Sequence, residues 1–180
     1  MKNIILIVLL VFSIQLTAQE KYYTKSGKII FESSVPAFEE VKATNTKVTA
    51  ILKDNGNIAA LALTKGFRFK IALMEEHFNE NYIESDKYPK AKFSGKISGF
   101  SISDLSNEAK EYSIIGKLTL RGITKELTIS STLKMVDNTI YLVSNFTVTP
   151  EDFKIEIPSI VRKKIAKEVD VSLAFELKKK

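Results

Sequence analysis

The sequence predicts an all-β fold, an eight-stranded antiparallel barrel with two short connecting helices. Apolar and polar residues alternate with a period of two, most clearly from Gly122 to Met135, as in strands with one buried face. Tight-turn signals separate successive apolar runs at Asp54-Asn55-Gly56 and at Asp137-Asn138. The runs are long, and closure into a barrel removes the exposed edges that such strands would leave. A β-sandwich is the alternative.

Eight segments carry the strand pattern. In chain order they are 28–33, 41–53, 57–71, 91–101, 112–121, 123–136, 139–149 and 169–177. A further turn or a bulge is expected at Arg121-Gly122. Within the third segment, Ala59, Leu61, Leu63, Phe67 and Phe69 share one parity, while the other parity holds small residues. The larger side chains are therefore predicted to face the interior.

Two segments depart from the strand pattern. The apolar residues Ile71, Met74, Phe78 and Tyr82 are three or four positions apart, which predicts a short amphipathic helix. The segment 158–167 begins with a proline and has similar apolar spacing, so it is predicted to form the second helix. The first helix belongs to an aromatic-rich segment, 67–93, that is expected either to plug a β structure or to line the mouth of a pocket.

The amino terminus has the layout of a secretory signal. Lys2 precedes an uncharged apolar run from Ile4 to Leu16, and Ala18 offers a small residue for cleavage. A membrane anchor is the alternative, but the run is shorter than the roughly 20 residues that a spanning helix needs. We therefore expect a signal peptide at 1–18, a single domain at 19–180, and a periplasmic or secreted protein without stable membrane insertion. The chain has no Cys and hence no disulfide.

The chain is basic, with a formal net charge of +6. Its densest cluster is Arg162-Lys163-Lys164 with Lys167, which is explained either as a solvated helix face or as a contact for an anionic headgroup or phosphate. Export argues against nucleic acid as a partner.

The sequence contains few of the residues and motifs that catalysis requires. His77 is the single histidine, Cys is lacking, and no Gly-x-Ser-x-Gly elbow occurs. No zinc-type ligand set can be assembled, so we expect neither a metal nor a cofactor, and we predict that the protein is not an enzyme. His77 is interpreted either as a half-buried structural imidazole or as a headgroup contact at a pocket mouth. An enzyme acting on a lipid is a third possibility that lacks a catalytic set.

The remaining feature with functional potential is the large number of apolar side chains. An eight-stranded barrel is filled by its own side chains or holds one elongated ligand, and pockets for small molecules are lined mainly by apolar and aromatic groups. Each candidate for lining such a pocket has core packing as its alternative role. The candidates are Leu61, Leu63, Phe67, Phe69, Met74, Phe78, Tyr82, Phe93, Leu120, Leu127 and Phe175.

Several stretches resemble the YceI-like family of exported lipid-binding proteins. They are ALMEEHFNENYIESDKYP at 72–89, Lys92 to Ile97, the Gly-x-Leu-Thr-x-x-Gly-x-Thr-Lys hairpin at 116–125, and the ending at 169–177. The resemblance implies an extended, lipocalin-like barrel with a channel for a polyisoprenoid or similar chain, a periplasmic location, and a possible homodimer. The stretch after Phe31 departs from the family pattern, which identifies the chain as a divergent member.

Two functional hypotheses follow. The first is non-enzymatic binding, with sequestration or transport of one hydrophobic chain, a polyisoprenoid or another lipid, in the periplasm. The second is an interaction or stress-tolerance protein whose barrel is fully packed and whose surface meets a partner.

Overall fold

The structure is a barrel of antiparallel strands. The computed structural model describes residues 20–180, so the predicted signal peptide lies outside the described residues. The strands are β1 (Lys21–Ser34), β2 (Lys42–Lys53), β3 (Asn57–Leu63), β4 (Arg68–Phe69), β5 (Lys90–Ile97), β6 (Lys110–Leu120), β7 (Ile123–Val136), β8 (Thr139–Val148) and β9 (Ile165–Lys179).

The first strand closes the sheet. The order around the barrel is β1-β9-β8-β7-β6-β5-β3-β2, and β1 pairs with both β9 and β2. The two residues of β4 pair only with β2, beyond the end of β3, so the wall consists of eight strands. The predicted eight-stranded antiparallel barrel is therefore confirmed.

Two hairpins have the turn geometry that matches the twist of paired strands. Arg121 and Gly122, between β6 and β7, have φ values of 48° and 75°, and Asp137 and Asn138, between β7 and β8, have φ values of 47° and 60°. Positive φ at both central residues defines a two-residue type I′ turn. Gly122 also lies against a ring, because a Cβ there would be 2.8 Å from Cε1 of Tyr88. The turns at these two predicted positions are thus observed.

The helix that follows β4 agrees with the apolar stripe. Helix α1 (Ala72–His77) continues as one π-helical turn (Phe78–Tyr82). Glu75 fastens α1 to β4, because its Oε2 accepts a hydrogen bond of 3.1 Å from the Phe69 amide and its Oε1 accepts one of 2.7 Å from Nη1 of Arg68. The helix is thereby held over one end of the barrel.

The prediction of a second helix at 158–167 is wrong. The segment contains a single 3-10 turn (Arg162–Lys164), and β9 begins immediately afterwards at Ile165. Ile165 is already in register with Ser34 of β1. The residues from Ile165 onward therefore pair with the first strand and do not form the predicted helix.

The predicted strand 57–71 is interrupted, and the predicted inward parity of its first half is wrong. Ala60 and Ala62 face the interior, whereas Leu61 and Leu63 face outward and Leu63 is 51% exposed. A 3-10 turn (Thr64–Gly66) then switches the parity, so that Phe67 still faces inward.

A buried asparagine explains where the turn falls. Asn45 is 1% exposed, and its Nδ2 donates a hydrogen bond of 3.1 Å to the carbonyl of Leu63. A Cβ at Gly66 would lie 2.6 Å from the same Nδ2, so only glycine lets the turn approach so closely. The turn is completed by Thr64, whose hydroxyl donates to the carbonyl of Tyr88 at 3.0 Å.

The interior is packed at one end of the barrel and loose at the other. On β9, Phe175 and Leu177 are 3% and 0% exposed, whereas Val169, Val171 and Leu173 on the same face are only half-buried. Strands β5, β6, β7 and β8 show the same gradient. The fully buried side chains at the packed end include Leu52, Ile97, Leu133, Ile140 and Leu177.

The loose end includes a place where two neighbouring strands separate. Strands β7 and β8 pair from Ser131 to Val136 and from Thr139 to Ser144, and beyond this point each pairs only with its other neighbour. A 3-10 turn (Pro150–Phe153) contacts both β7 and β9 there, and Phe153 is 1% exposed. The wall at this position is therefore made by a loop and not by a ladder of hydrogen bonds.

Truncation at the two ends of β9 should have unequal effects. Leu177→Ala opens a void in a filled interior and should lower the free energy of unfolding by about 2–5 kcal/mol. Leu173→Ala removes a side chain that already adjoins empty space and should cost about 1 kcal/mol. Urea unfolding of the two lipid-free variants measures both. Equal losses would mean that the two ends are packed alike.

Candidate functional site

The loose end of the barrel encloses an apolar cavity of about 650 Å³. Its walls are the inward side chains of the strands, and its cover consists of α1, the loop at 35–41 and the segment 150–165. The wall residues include Ile29, Phe31, Ala60, Ala62, Ala91, Phe93, Leu118, Leu120, Phe146, Val169, Val171 and Leu173. The interior of this end is thus not filled by the protein's own side chains.

Four phenylalanine rings form a cluster between the wall and the helical cover. The ring of Phe31 lies 5.2 Å from that of Phe67, 5.6 Å from that of Phe69 and 5.3 Å from that of Phe78, measured between centroids. Phe78 in turn lies 6.0 Å from Phe67 and 5.3 Å from Phe69. These tilted and edge-on arrangements are those that aromatic rings prefer. The cluster ties α1 to β1 and lines the cavity.

Small residues on β3, β5 and β6 keep the cavity open. Ala60 lies opposite Phe93, and Gly95 lies opposite Gly116. The Phe93 ring covers the two glycines, because a Cβ at Gly116 would be 2.5 Å from its Cζ and a Cβ at Gly95 would be 3.1 Å from its Cε1. Since the ring lies flat against the wall, it does not project across the lumen.

Most of the residues proposed from sequence meet at this cavity. Those that line it are Phe67, Phe69, Met74, His77, Phe78, Tyr82, Phe93, Leu120 and Phe175. Leu61 and Leu63 do not, because they point out of the barrel. Leu127 lies on the inward face of β7 but packs against the buried core beside the cavity. Phe31 was not among the candidates, although its inward position could have been deduced from alternation with Ile29.

Ionisable groups are confined to a few positions around the cavity. Glu39, His77 and Lys164 are exposed residues that contribute to its lining. Nζ of Lys164 lies 6.0 Å from the centre of the Phe38 ring, at the limit of a cation–π contact. Burial raises the pKa of Tyr82, so its phenol stays neutral and is compatible with an apolar wall. His77 is an exposed rim residue and not the half-buried structural imidazole that one interpretation expected.

Arg121 joins three loops at the rim, and its role was missed by the sequence interpretation, which treated it only as a turn residue. Its Nη2 lies 2.8 Å from Oε2 of Glu84, and its Nη1 donates a hydrogen bond to the carbonyl of Lys154. Arg121, Glu84 and Lys154 have φ values of 48°, 49° and 53°, a conformation that costs side-chain-bearing residues about 1–2 kcal/mol each. The guanidinium holds these strained loops together.

The part of the chain that the structure describes contains no group of three or more His, Asp or Glu residues that could hold a metal ion. Within residues 20–180, no helix is both long and apolar enough to cross a membrane.

The barrel and its cavity define a class of protein, the small β-barrels that enclose a ligand-sized apolar space. The model of the YceI-like domain family matches residues 22–177, and the chain belongs to this family. Comparison with the curated proteins found no match.

Solved structures with the same fold are distant in sequence. A polyisoprenoid-binding domain from Saccharophagus degradans is 12% identical with a TM-score of 0.78, over 89% of this chain and 99% of that one. BcnA from Burkholderia cenocepacia is 16% identical with a TM-score of 0.68, over 83% and 95% of the two chains. A YceI protein from Campylobacter jejuni is 14% identical with a TM-score of 0.53, over 87% and 85%. At these identities the likeness concerns the fold.

Loss of the Arg121 side chain should loosen the rim. Arg121→Gln removes the charge-assisted bonds to Glu84 and Lys154 and should lower the free energy of unfolding by about 1–3 kcal/mol. Hydrogen exchange should rise at 84–88 and 150–154. The control is Lys117→Gln on the outer wall, where the Lys117–Glu126 pair is 3.5 Å long and exposed. If both variants behave alike, Arg121 does not fasten the rim.

Proposed function

We propose that the protein binds one hydrophobic chain in its barrel, without catalysis, and sequesters or carries that chain through the periplasm or outside the cell. The observation that carries this proposal is the apolar cavity of about 650 Å³ at the loose end of a closed barrel. Burial of an alkyl or isoprenoid chain there is favourable by roughly 25 cal/mol per Å² of apolar surface removed from water.

The polar groups along the cavity support an apolar ligand. The hydroxyl of Ser33 donates to the carbonyl of Ala166 at 3.0 Å, and that of Thr64 donates to the carbonyl of Tyr88. These hydrogens are already used within the protein, so the inner wall offers few donors to a ligand. A polar headgroup would therefore remain at the rim, near the exposed Glu39, His77 and Lys164.

The positions of the ionisable residues around the cavity support a binding protein over an enzyme. Among the described residues, no hydrogen bond or ion pair joins any two of Glu39, His77, Tyr82 and Lys164, the ionisable residues that line the cavity. A nucleophile activated by a neighbouring base would need such a contact. A packed barrel that meets a partner only through its surface is not favoured, because the loose end encloses empty space.

Family membership supports a lipid as the ligand. One structural neighbour is described as a polyisoprenoid-binding domain, and its barrel covers most of this chain. We therefore include a polyisoprenoid among the candidate chains. Within this proposal, the contacts come from Phe67, Phe69, Met74, Phe78, Tyr82, Phe93, Leu120 and Phe175, with His77 near the headgroup and Phe31 added from the structure.

A substitution that fills the cavity should expel the ligand. Ala60 faces the cavity and its neighbour Ala59 faces solvent, so Ala60→Phe and Ala59→Phe add the same side chain on opposite faces of β3. Native mass spectrometry of protein purified from its own host should show one bound lipid for the wild type and for Ala59→Phe, and a large loss for Ala60→Phe.

The folded state of each variant is checked by circular dichroism, and Ala91→Leu, which also projects into the cavity, serves if Ala60→Phe does not fold. A wild-type protein that carries no lipid, or an Ala60→Phe variant that retains it fully, would refute binding in this cavity.

Affinity should depend on chain length more than on the headgroup. Each additional methylene that enters the cavity contributes about 0.8 kcal/mol, or roughly fourfold in affinity, until the space is full. Displacement of a fluorescent fatty acid by straight-chain alcohols of increasing length measures this slope. A series with no length dependence would argue for a polar determinant at the rim.

A further inference from the structure

Three separate segments form the mouth of the cavity, and each exposes an apolar side chain to water. The loop after β1 contributes Phe38, α1 contributes Leu73, and the segment before β9 contributes Ile160. Phe38 is 45% exposed and Leu73 is 56% exposed, and both also line the cavity. The apolar lining therefore continues out of the barrel onto its rim.

Ile160 is the most prominent of these side chains. It is 85% exposed, whereas the next most exposed large apolar residue in the described part of the chain, Ile115, is 57% exposed. Ile160 does not line the cavity, but the adjacent Val161 does. An isoleucine in this position contributes little to the packing of the fold, and together with Phe38 and Leu73 it adds to the apolar surface exposed at this end of the barrel.

A cluster of four basic residues lies directly beside Ile160. The segment 158–167 contains Arg162, Lys163, Lys164 and Lys167 and no acidic residue. None of the four takes part in an ion pair among residues 20–180, although several other lysines do, such as Lys42 with Glu32. Lys164 reaches across to the Phe38 ring. Apolar and basic groups are therefore interleaved around one opening.

We propose that this rim docks on a bilayer surface that carries anionic headgroups, so that a hydrophobic chain passes directly between the bilayer and the cavity. Basic side chains attract an anionic surface, while exposed apolar side chains enter the boundary between headgroups and acyl chains. Phe38, Leu73 and Ile160 would enter the bilayer, and Arg162 to Lys167 would contact its phosphates. Docking in this orientation places the open end of the barrel against the source of the chain. This inference rests on the proposed function.

The aliphatic character of the rim favours a bilayer over nucleic acid. Binding of single strands relies on aromatic platforms for base stacking, and the two most exposed apolar residues of the rim are Ile160 and Leu73. A short apolar contact with a few basic residues gives reversible attachment, as delivery and release of a ligand require.

Flotation with phosphatidylcholine vesicles, with and without phosphatidylglycerol, tests the proposal. The wild type should bind the anionic vesicles more tightly, and added salt should weaken the binding. Lys163→Glu/Lys167→Glu should weaken it by at least about 25-fold, since each basic residue near such a surface is worth about fivefold. Ile160→Ser should weaken it several-fold.

The matched controls lie on the outer wall of the barrel. Ile115→Ser removes another exposed isoleucine, and Lys92→Glu/Lys96→Glu reverses two exposed lysines on β5. Both should bind vesicles as the wild type does. Equal losses in rim and wall variants, or no binding of the wild type to anionic vesicles, would overturn the proposal. Salt-sensitive binding that is indifferent to Ile160→Ser would also overturn it, because charge alone would then account for the attachment.

Ligand retention separates this proposal from the function on which it rests. Ile160→Ser and Lys163→Glu/Lys167→Glu leave the cavity walls intact, so native mass spectrometry should still show bound lipid in both. Transfer of a fluorescent lipid from anionic vesicles to these variants should be slower than to the wild type. Docking without any retained lipid in the wild type would refute the binding function and leave the docking surface standing, whereas retention without docking would refute only the surface.

Discussion

The hydrogen-bonded ladder between the first and last long strands is the interaction on which the rest of the structure depends. β1 pairs with β9 from Tyr22↔Lys179 to Ser34↔Ile165, and on its other side it pairs with β2. Without this ladder the sheet would have two long edges and no enclosed space. Closure of eight strands creates a lumen, and the side chains that enter it decide whether it is filled.

Filling is uneven because the inward side chains differ along the strands. Near the hairpin at Asp137-Asn138, branched side chains such as Leu133, Ile140 and Leu177 lie side by side on β7, β8 and β9 and are fully buried. Toward the other end, the inward positions of β3 and β5 become alanine or glycine, and Phe93 lies flat on the wall. The same closed sheet thus provides a rigid foundation at one end and a binding space at the other. The side chains that form the packed core and those that line the cavity therefore lie in different halves of the strands.

The cover of the cavity is built from segments that lie outside the eight long strands of the wall. Helix α1 is attached through Glu75 and the phenylalanine cluster, and the segment 150–154 occupies the gap between β7 and β8. Arg121 connects that segment with the loop around Glu84 by charge-assisted bonds that offset three left-handed residues. These attachments are few and local compared with the ladders of the wall. The apolar and basic side chains of the rim belong to this cover, which is consistent with a surface that meets another phase.

The sequence by itself determined the alternation of the strands, the positions of two tight turns and the first helix, because each depends on residues adjacent in the chain. Most of the residues that the sequence suggested for a pocket also line the cavity. Tertiary structure alone decided the parity of β3, since both faces of Ala59 to Leu63 are apolar and alternation does not distinguish them. The turn at Thr64–Gly66, where Asn45 bonds to the Leu63 carbonyl, then returns Phe67 to the inward face. Tertiary structure likewise decided that Ile165 begins a strand, because pairing with Ser34 outweighs a weak local preference for helix. Whether the barrel is hollow depends on the summed volumes of side chains from eight strands, and no single stretch of sequence contains that sum.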